Sequence, residues 1–218
     1  MGRLVDLSHA ISPGMITYPG LPGPVVSDFM GREASRGHYA EGTTFQIARV
    51  RMVVNTGTYV DAPFHRFAHG PDIGSLPLER VADLAGLVVD ADGNGRSVDA
   101  SAFSGRDISG KAVLIRTGWD SHWGTPRYFD GHPHLTRAAA EHLASAGPAL
   151  VGIDSLNIDD AGDGVRPAHT LLLAAGIPIV EHLCNLRDLP ESGFRFHCAP
   201  APFHGVGSFP VRAYAVVP

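Results

Sequence analysis

The segment NTGTYVDAPFH, residues 55–65, carries a carboxylate and an imidazole four positions apart. Asp61 comes between an apolar residue and the small and proline residues that follow it, which indicates a strand end beside a loop. A carboxylate there could bind a metal or act as a general base, and it could equally cap a turn. The chain holds 12 histidines, more than is usual for its length, which makes a metal or acid–base site worth seeking. His65, four positions after Asp61, is a candidate for that site.

A second pair of candidate residues, His169 and Glu181, follows later in the chain. His169 falls in the first turn of a predicted helix, whereas Glu181 lies inside the apolar run IPIVEHL and should be buried. A lone buried carboxylate is costly, so Glu181 needs a cation, a hydrogen-bond network or a proton. A metal ion, Arg116 or Arg166 could each supply the missing charge.

Acidic residues are concentrated just before His169, in IDSLNIDDAGDGVRP, residues 153–167. Asp154 ends an apolar run, a position that often carries functional groups in α/β folds. The remaining acids do not follow the calcium-loop pattern, because the glutamate at its twelfth position is absent. We therefore expect Asp159, Asp160 and Asp163 to lie in a solvated loop.

The composition bounds the possible classes of protein. The chain has 218 residues, 44% hydrophobic and 18% charged, with a formal net charge of −5, which predicts a globular protein with one large or two small domains. The sequence contains no basic block of the kind that binds nucleic acid, and no apolar run approaches the ~18 residues that span a bilayer. The N-terminus lacks the charged segment followed by an apolar segment that is typical of a signal peptide, so we expect a cytoplasmic protein.

The two cysteines, Cys184 and Cys198, do not have the spacing of a metal site. We predict that both are buried thiols, and a nucleophilic role for Cys184 is disfavoured.

Alternating and apolar runs predict several strands that are interrupted by two helices. Thr136 and Gly147 are the candidate cap and stop of the first helix, and Gly176 ends the second. Prolines and glycines predict a long loop over residues 12–24. Strands are predicted within residues 5–11, 43–54, 84–93, 110–119, 149–155 and 177–183, with a closing strand, loop and last strand over 194–217. This order predicts a mixed α/β or α+β fold in one domain, residues 1–218.

The motifs together resemble the cyclase family, which includes the bacterial kynurenine formamidases and isatin hydrolases. The resemblance rests on VDLSHAISPGMITYPGLP, NTGTYVDAPFH, LIRTGW, LVGIDSLNID, HTLLLAAGIPIVEHLCNL and FPVRAYAVV, which occur in the family's order over nearly the whole chain. It implies a swivelling β/β/α fold with mixed sheets and a few helices, a homodimer or homotetramer, and hydrolysis of a C–N bond in a small aryl amide or lactam with a bound divalent metal.

The resemblance also assigns roles to individual residues. Asp61, His169 and Glu181 match metal ligands, His65 matches the histidine that moves protons, and Tyr18 matches an aromatic residue near the substrate.

The chain departs from the family at two positions. Asn55 and Tyr59 stand where the family has its first two histidine ligands. An amide oxygen is a weaker ligand than imidazole, and a phenol with an ordinary pKa near ~10 must lose its proton to bind a metal well. The resemblance thus implies one remaining metal position, with Asn55 free to bind substrate and Tyr59 free to stabilise an oxyanion through its hydroxyl.

Three functional hypotheses follow from these residues. The first is a hydrolase of a small amide, lactam or ester that uses one divalent metal, zinc or manganese, and His65 as general acid and base. The second is a lyase, isomerase or cyclase without metal, in which Asp61, His65 and Tyr59 exchange protons. The third is a non-catalytic binding homologue.

Overall fold

A mixed β-sheet runs through the centre of the structure, a computed structural model that describes residues 2–93 and 95–218. In chain order the described strands are β1 (Arg3–Asp6), β2 (Val25–Met30), β3 (Ile47–Arg51), β4 (Tyr59–Asp61), β5 (Leu84–Asp90), β6 (Ser97–Val98), β7 (Ala112–Arg116), β8 (His134–Leu135), β9 (Leu150–Ile153), β10 (Ile179–Glu181), β11 (Ser192–His197), β12 (Ser208–Pro210) and β13 (Tyr214–Val217). The order across the central sheet is β1-β13-β11-β5-β7-β9-β10-β4-β12. Strands β5, β7, β9 and β10 pair in parallel, and the flanking pairs are antiparallel.

The parallel strands are apolar on both faces because both faces of the sheet are covered. Successive residues of β7 alternate between two hydrophobic clusters, so that Leu114 belongs to one and Ile115 to the other. Two helices, α1 (Arg137–Ala146) and α2 (Pro167–Ala174), contribute Leu143 and Leu172 to the second cluster. This explains why the strand sequences read as continuous apolar runs.

Both predicted helices are confirmed, and local signals set their ends. The Thr136 hydroxyl accepts a hydrogen bond from the backbone N–H of Ala139, and Gly147 closes α1 at a φ of 69°. Pro167 begins α2, where its missing N–H costs nothing. The predicted strands within 84–93, 110–119, 149–155 and 177–183 are also confirmed as β5, β7, β9 and β10.

Two predicted strands differ from the structure. The strand predicted within residues 5–11 already ends at Asp6, and Ser8 keeps one isolated bridge to Leu183. The strand predicted within 43–54 is only β3, which leaves the central sheet to pair with β2, a strand that was not predicted. The closing region contains two strands after its loop, because β12 adds to the edge of the sheet beside β4.

The predicted mixed α/β fold is thus confirmed. Residues 12–24 contain no strand or helix, as their prolines and glycines indicate. Cys184 and Cys198 are buried free thiols, and burial raises the pKa of the Cys184 thiol to about 12, which disfavours a nucleophilic role. Across residues 2–93 and 95–218, no helix has the length and apolar character required to cross a bilayer.

Candidate active site

Strand β4 lies between β10 and β12 and sets the register of the site. Tyr59 lies opposite Glu181 on β10, and Asp61 lies opposite Ser208 on β12. Residues two apart on a strand share a face, as do directly opposed residues. These four polar side chains therefore point to one face of the sheet, while Val60 points into the hydrophobic core on the other.

Asp61 is fully buried and only half satisfied. Its Oδ1 accepts a short hydrogen bond from the Ser208 hydroxyl. Its Oδ2 has no hydrogen-bond partner among the described residues and lies 3.7 Å from Nε2 of His169. A buried carboxylate oxygen without a partner is costly, so this atom is suited to bind a cation.

Asp159 fixes the orientation of His169. The Asp159 carboxylate lies 2.7 Å from Nδ1 of His169 and accepts the backbone N–H groups of Ala168 and His169 at the start of α2. With Nδ1 held in this way, Nε2 faces Asp61 and also lies 3.6 Å from Oε1 of Glu181. Carboxylate–imidazole pairs of this kind orient histidines that bind metals.

The prediction of a solvated loop is therefore wrong for Asp159, which is completely buried. It holds for Asp160 and Asp163, which are partly exposed. The spacing alone could not separate the three acids, because only the return of the chain to the start of α2 brings Asp159 under His169.

Glu181 finds its partners in a hydrogen-bond network. Its Oε1 accepts the backbone N–H of Ile158 at 2.7 Å, and its Oε2 accepts the Tyr59 hydroxyl at 2.6 Å and the Asn157 amide at 3.5 Å. Arg116 pairs instead with Asp90. The network explains how a carboxylate can be accommodated inside the apolar strand β10.

Burial and negative charge determine the protonation of these groups. Burial alone would lower the pKa of His169, but Glu181, Asp159 and Asp61 together raise that pKa to about 10. Burial, together with Asp61, raises the pKa of Glu181. Burial and the charge of Glu181 hold the pKa of Tyr59 well above its usual range, so the phenol stays neutral. Three carboxylates thus face one imidazole in a dry environment, which favours a bound cation.

His65 lies above this group at the wall of a cavity. Its Nδ1 is 2.9 Å from the Ser208 hydroxyl and 3.5 Å from Oδ1 of Asp61, and its side chain is 35% exposed. The described hydrogen bonds leave its Nε2 unengaged. Gly207 permits the close approach, because a Cβ there would lie 2.5 Å from the backbone of His65. An imidazole that is anchored at Nδ1 and open at Nε2 can exchange protons with a molecule in the cavity.

The cavity has a volume of about 510 Å³. Six of the seven predicted site residues line it, and Asp61 lies against His65 and His169: the six are Tyr18, Asn55, Tyr59, His65, His169 and Glu181. The structure thus brings all seven together. The Asn55 amide donates to the Ser208 hydroxyl at 3.2 Å, so Ser208 connects Asn55, Asp61 and His65. A serine in a loop-rich stretch gave no sequence signal of this role.

A larger cavity of about 780 Å³ lies beside Asp154 and Arg116. Asp154 accepts hydrogen bonds from the backbone and hydroxyl of Thr117 and from the backbone of Gly118. Its carboxylate therefore fixes the turn after β7. We assign the chemistry to the smaller cavity, because the imidazoles and carboxylates that face one another all lie there.

The donor set fits one divalent metal. Ligand atoms of Asp61, His65 and His169 all lie within 4.8 Å of one another, and Oε1 of Glu181 faces the same nitrogen of His169. The unpartnered Oδ2 of Asp61 is the atom that a cation would satisfy. Nitrogen and carboxylate oxygen are ligands common to zinc and manganese sites. Neither Asn55, whose amide donates to Ser208, nor the neutral Tyr59 offers a ligand atom of comparable strength.

This fold and site define a member of the cyclase family. The family model described as putative cyclase matches residues 5–160, and the chain belongs to that family. The family indicated by the motifs is thus confirmed.

Two relatives named kynurenine formamidase match almost the full chain. The protein from Salinibacter ruber is 29% identical over 215 residues, which cover 96% of this chain and 95% of that protein. The protein from Bacillus cereus strain ZK is 26% identical over 216 residues, with the same coverage of 96% and 95%. The predicted hydrolase of the cyclase family is confirmed by these matches.

Solved structures show the same fold. A potential metal-dependent hydrolase with cyclase activity has a TM-score of 0.83 and 25% identity, covering 100% of this chain and 99% of its own. Isatin hydrolase A from Labrenzia aggregata, bound to benzyl benzoate, also has a TM-score of 0.83, at 23% identity and coverage of 99% and 93%. The swivelling fold implied by the motifs is therefore confirmed.

Proposed function

We propose that this chain hydrolyses the C–N bond of a small amide, formamide or lactam, or a corresponding ester, with one bound divalent metal. The relatives named kynurenine formamidase support the class of bond. The observation that carries the metal is the buried, unpartnered Oδ2 of Asp61 facing Nε2 of His169.

Asp61, His169 and Glu181 would hold the metal, with zinc and manganese as the candidates. Their atoms supply one nitrogen and two carboxylate oxygens, a set that leaves coordination positions open. When bound there, the metal supplies a Lewis acid that lowers the pKa of water and polarises a carbonyl group. Asp159 contributes by holding His169 in the tautomer whose Nε2 is free to bind.

His65 carries the proton transfers in this proposal. Its Nδ1 is anchored between Ser208 and Asp61, so its Nε2 takes a proton from the attacking water and returns it to the departing nitrogen. Tyr59 stays neutral, and its single hydroxyl hydrogen is donated to Glu181 in this structure. It lines the cavity and would stabilise a developing oxyanion only by redirecting that hydrogen away from Glu181. Tyr18 and Asn55 line the cavity and would contact the substrate.

The test combines metal analysis with a screen of substrates. We expect about one zinc or manganese per purified chain, hydrolysis of an aryl formamide, lactam or lactone, loss of turnover after chelation, and recovery on adding metal. His65→Ala should lower the rate by ~10²–10⁴ while metal content is unchanged. Turnover without metal would support the acid–base mechanism that uses Asp61, His65 and Tyr59 alone. Full activity of His65→Ala would remove His65 from the mechanism.

We also propose that the chain forms a homodimer or homotetramer. Strands β2 and β3 form a two-stranded ribbon whose residues are almost all exposed, including Val26, Phe29 and Val50 at 48%, 62% and 55%. An isolated two-stranded ribbon is only marginally stable in water, so a second copy of the chain is the expected cover for these apolar side chains. Light scattering should give at least twice the monomer mass, and Phe29→Asp should reduce it. A wild-type monomer at micromolar concentration would contradict this assembly.

A further inference from the structure

Arg166 lies in the wall of the same cavity as His65 and His169, although neither the site motif nor the mechanism uses it. Its Nη1 donates to the Asn157 amide oxygen at 2.9 Å, and its Nη2 donates to the carbonyl of Ala161 at 3.2 Å. A longer contact of 3.4 Å joins Nη2 to the Tyr18 hydroxyl. All three partners are neutral, and no ion pair involving Arg166 occurs in residues 2–93 and 95–218.

The guanidinium therefore has unused binding capacity. It carries five N–H groups in a planar fork, and the three contacts leave the Nε–H and one Nη1–H without a partner in the described part of the chain. The same fork matches the two oxygens of a carboxylate. Arg166 is half-buried, so it has given up some of its hydration, and the nearby carboxylates of Asp159 and Glu181 form no ion pair with it.

The backbone at Arg166 is held in an unfavourable conformation. Its φ is 50° and its ψ is 61°, in the left-handed region that side chains other than glycine rarely occupy. The residue before a proline normally prefers extended backbone, and Pro167 follows directly. Such conformations are concentrated at functional sites, where the surrounding structure enforces them. Here the conformation joins the 156–166 loop to α2 and places the guanidinium beside Tyr18.

The charges that line the cavity would orient a bound anionic molecule. Asp61 and Glu181 lie on the buried floor, whereas Arg166 lies at the wall next to the exposed Tyr18 loop. A substrate anion would avoid the carboxylates on the floor and approach the guanidinium. The uncharged end of the same molecule would then be directed toward His65.

We propose that Arg166, supported by Asn157 and Tyr18, binds a carboxylate of the substrate, so that the cavity selects anionic amides over neutral ones. The inference rests on the proposed amide hydrolysis and adds the class of substrate: a small aryl amide with a carboxylate on the part that stays near the mouth of the cavity. Arg166 would be a specificity residue, whose contribution is expressed in binding and not in the proton transfers.

The direct test measures binding with two fluorescent probes of equal size, 2-aminobenzoate and its neutral amide, 2-aminobenzamide. We expect the wild-type chain to bind the acid about ten- to a hundred-fold more tightly, as for a hydrogen bond to a charged group. Arg166→Gln should remove this preference and Arg166→Lys should keep part of it. Arg137→Gln removes one positive charge from the exposed face of α1, where Arg137 pairs with Glu141, and should leave the preference unchanged.

Three results would overturn the assignment. Equal wild-type affinity for the two probes, or no binding of 2-aminobenzoate, would remove the anion preference. A preference that survives Arg166→Gln but disappears in Asp61→Asn would place the carboxylate at the metal. Circular dichroism spectra confirm that each variant is folded.

An activity measurement separates this inference from the proposed function. With 2-formamidobenzoate and its methyl ester as substrates, Arg166→Gln should raise KM for the acid about ten-fold or more, with little change in kcat and little effect on the ester. Absence of wild-type turnover for both substrates would refute amide hydrolysis, while the binding measurement would still decide the role of Arg166.

Discussion

Asp159→Asn tests whether His169 is a metal ligand oriented by its neighbour. The substitution keeps the size of the side chain and one oxygen, which can still accept the backbone N–H of Ala168 at the start of α2. It replaces the carboxylate oxygen, 2.7 Å from Nδ1 of His169, with a neutral group. If the new amide presents its NH₂ to Nδ1, the imidazole must carry its proton on Nε2, which then cannot bind metal.

The expected magnitude follows from the loss of this orienting bond. Removing a partner of a metal-binding histidine weakens metal affinity roughly 10- to 100-fold, which corresponds to about 1.4–2.7 kcal/mol. The loss of a carboxylate at the first turn of α2 should lower the free energy of unfolding by about 1 kcal/mol or less, because the amide still accepts one N–H. The change in metal affinity should therefore exceed the change in stability.

The assay is a competition titration of zinc or manganese against a chelator at pH 8, with denaturant unfolding of the metal-free chain in parallel. Asp160→Asn is the matched control, since it removes the neighbouring charge from a carboxylate that contacts Gly162 and Arg96 but not His169. The control should keep wild-type affinity. Metal affinity of Asp159→Asn within two-fold of wild type would refute the role of the Asp159–His169 pair.

Three further substitutions test the packing and the network. Tyr59→Phe removes a 2.6 Å hydrogen bond to buried Glu181 and should lower the free energy of unfolding by about 1–3 kcal/mol, with unchanged stability contradicting the network. Gly86→Ala places a Cβ in a clash with the ring of Phe194 and should lower the free energy of unfolding by about 1–3 kcal/mol or more in a thermal melt, and a wild-type Tm would show that this ring can move aside without cost. Burial raises the pKa of Asp154 to about 7, against opposing hydrogen bonds from Thr117 and Gly118, so its stabilising contribution is full below about pH 4 and is lost as the pH rises through 7. The destabilisation caused by Asp154→Asn in urea should consequently shrink between pH 5 and 7, and a constant difference would indicate a carboxylate that is ionised throughout.

Local chemistry made parts of the fold predictable. Thr136 and Gly147 bound α1 because a hydroxyl cap and a left-handed glycine act through neighbouring backbone atoms. The apolar runs became the parallel strands because burial on both faces leaves no polar alternation. The ribbon of β2 and β3 was not predictable in full, because β2 follows a proline-rich loop and owes its conformation to pairing with a distant segment.

The site also contains residues that the sequence predicts and residues that only the fold reveals. The seven predicted residues were identified from their positions in the motifs of the cyclase family, and two of them, Asn55 and Tyr59, replace histidines of that motif. The left-handed backbone at Arg166 has no signal in the residue types around it. Asp159 and Ser208 could not be recognised from spacing, because only the folded chain brings Asp159 against His169 and Ser208 against Asp61 and His65. Their roles depend on where β12 and α2 return to β4.

The charge balance of the site argues for one metal and not two. Asp61, Asp159 and Glu181 bring three negative charges around His169, which must be neutral when it binds a metal. A single divalent cation removes two of these charges and leaves a net charge of about −1 on the three carboxylates and the metal. Where the family pattern has two further imidazoles, Tyr59 and Asn55 contribute hydrogen-bond donors that are directed at Glu181 and Ser208. A second divalent ion would therefore find no further strong ligands and would turn the net charge of the group positive, from about −1 to about +1. The neutral Tyr59 hydroxyl already satisfies the Glu181 oxygen to which it donates.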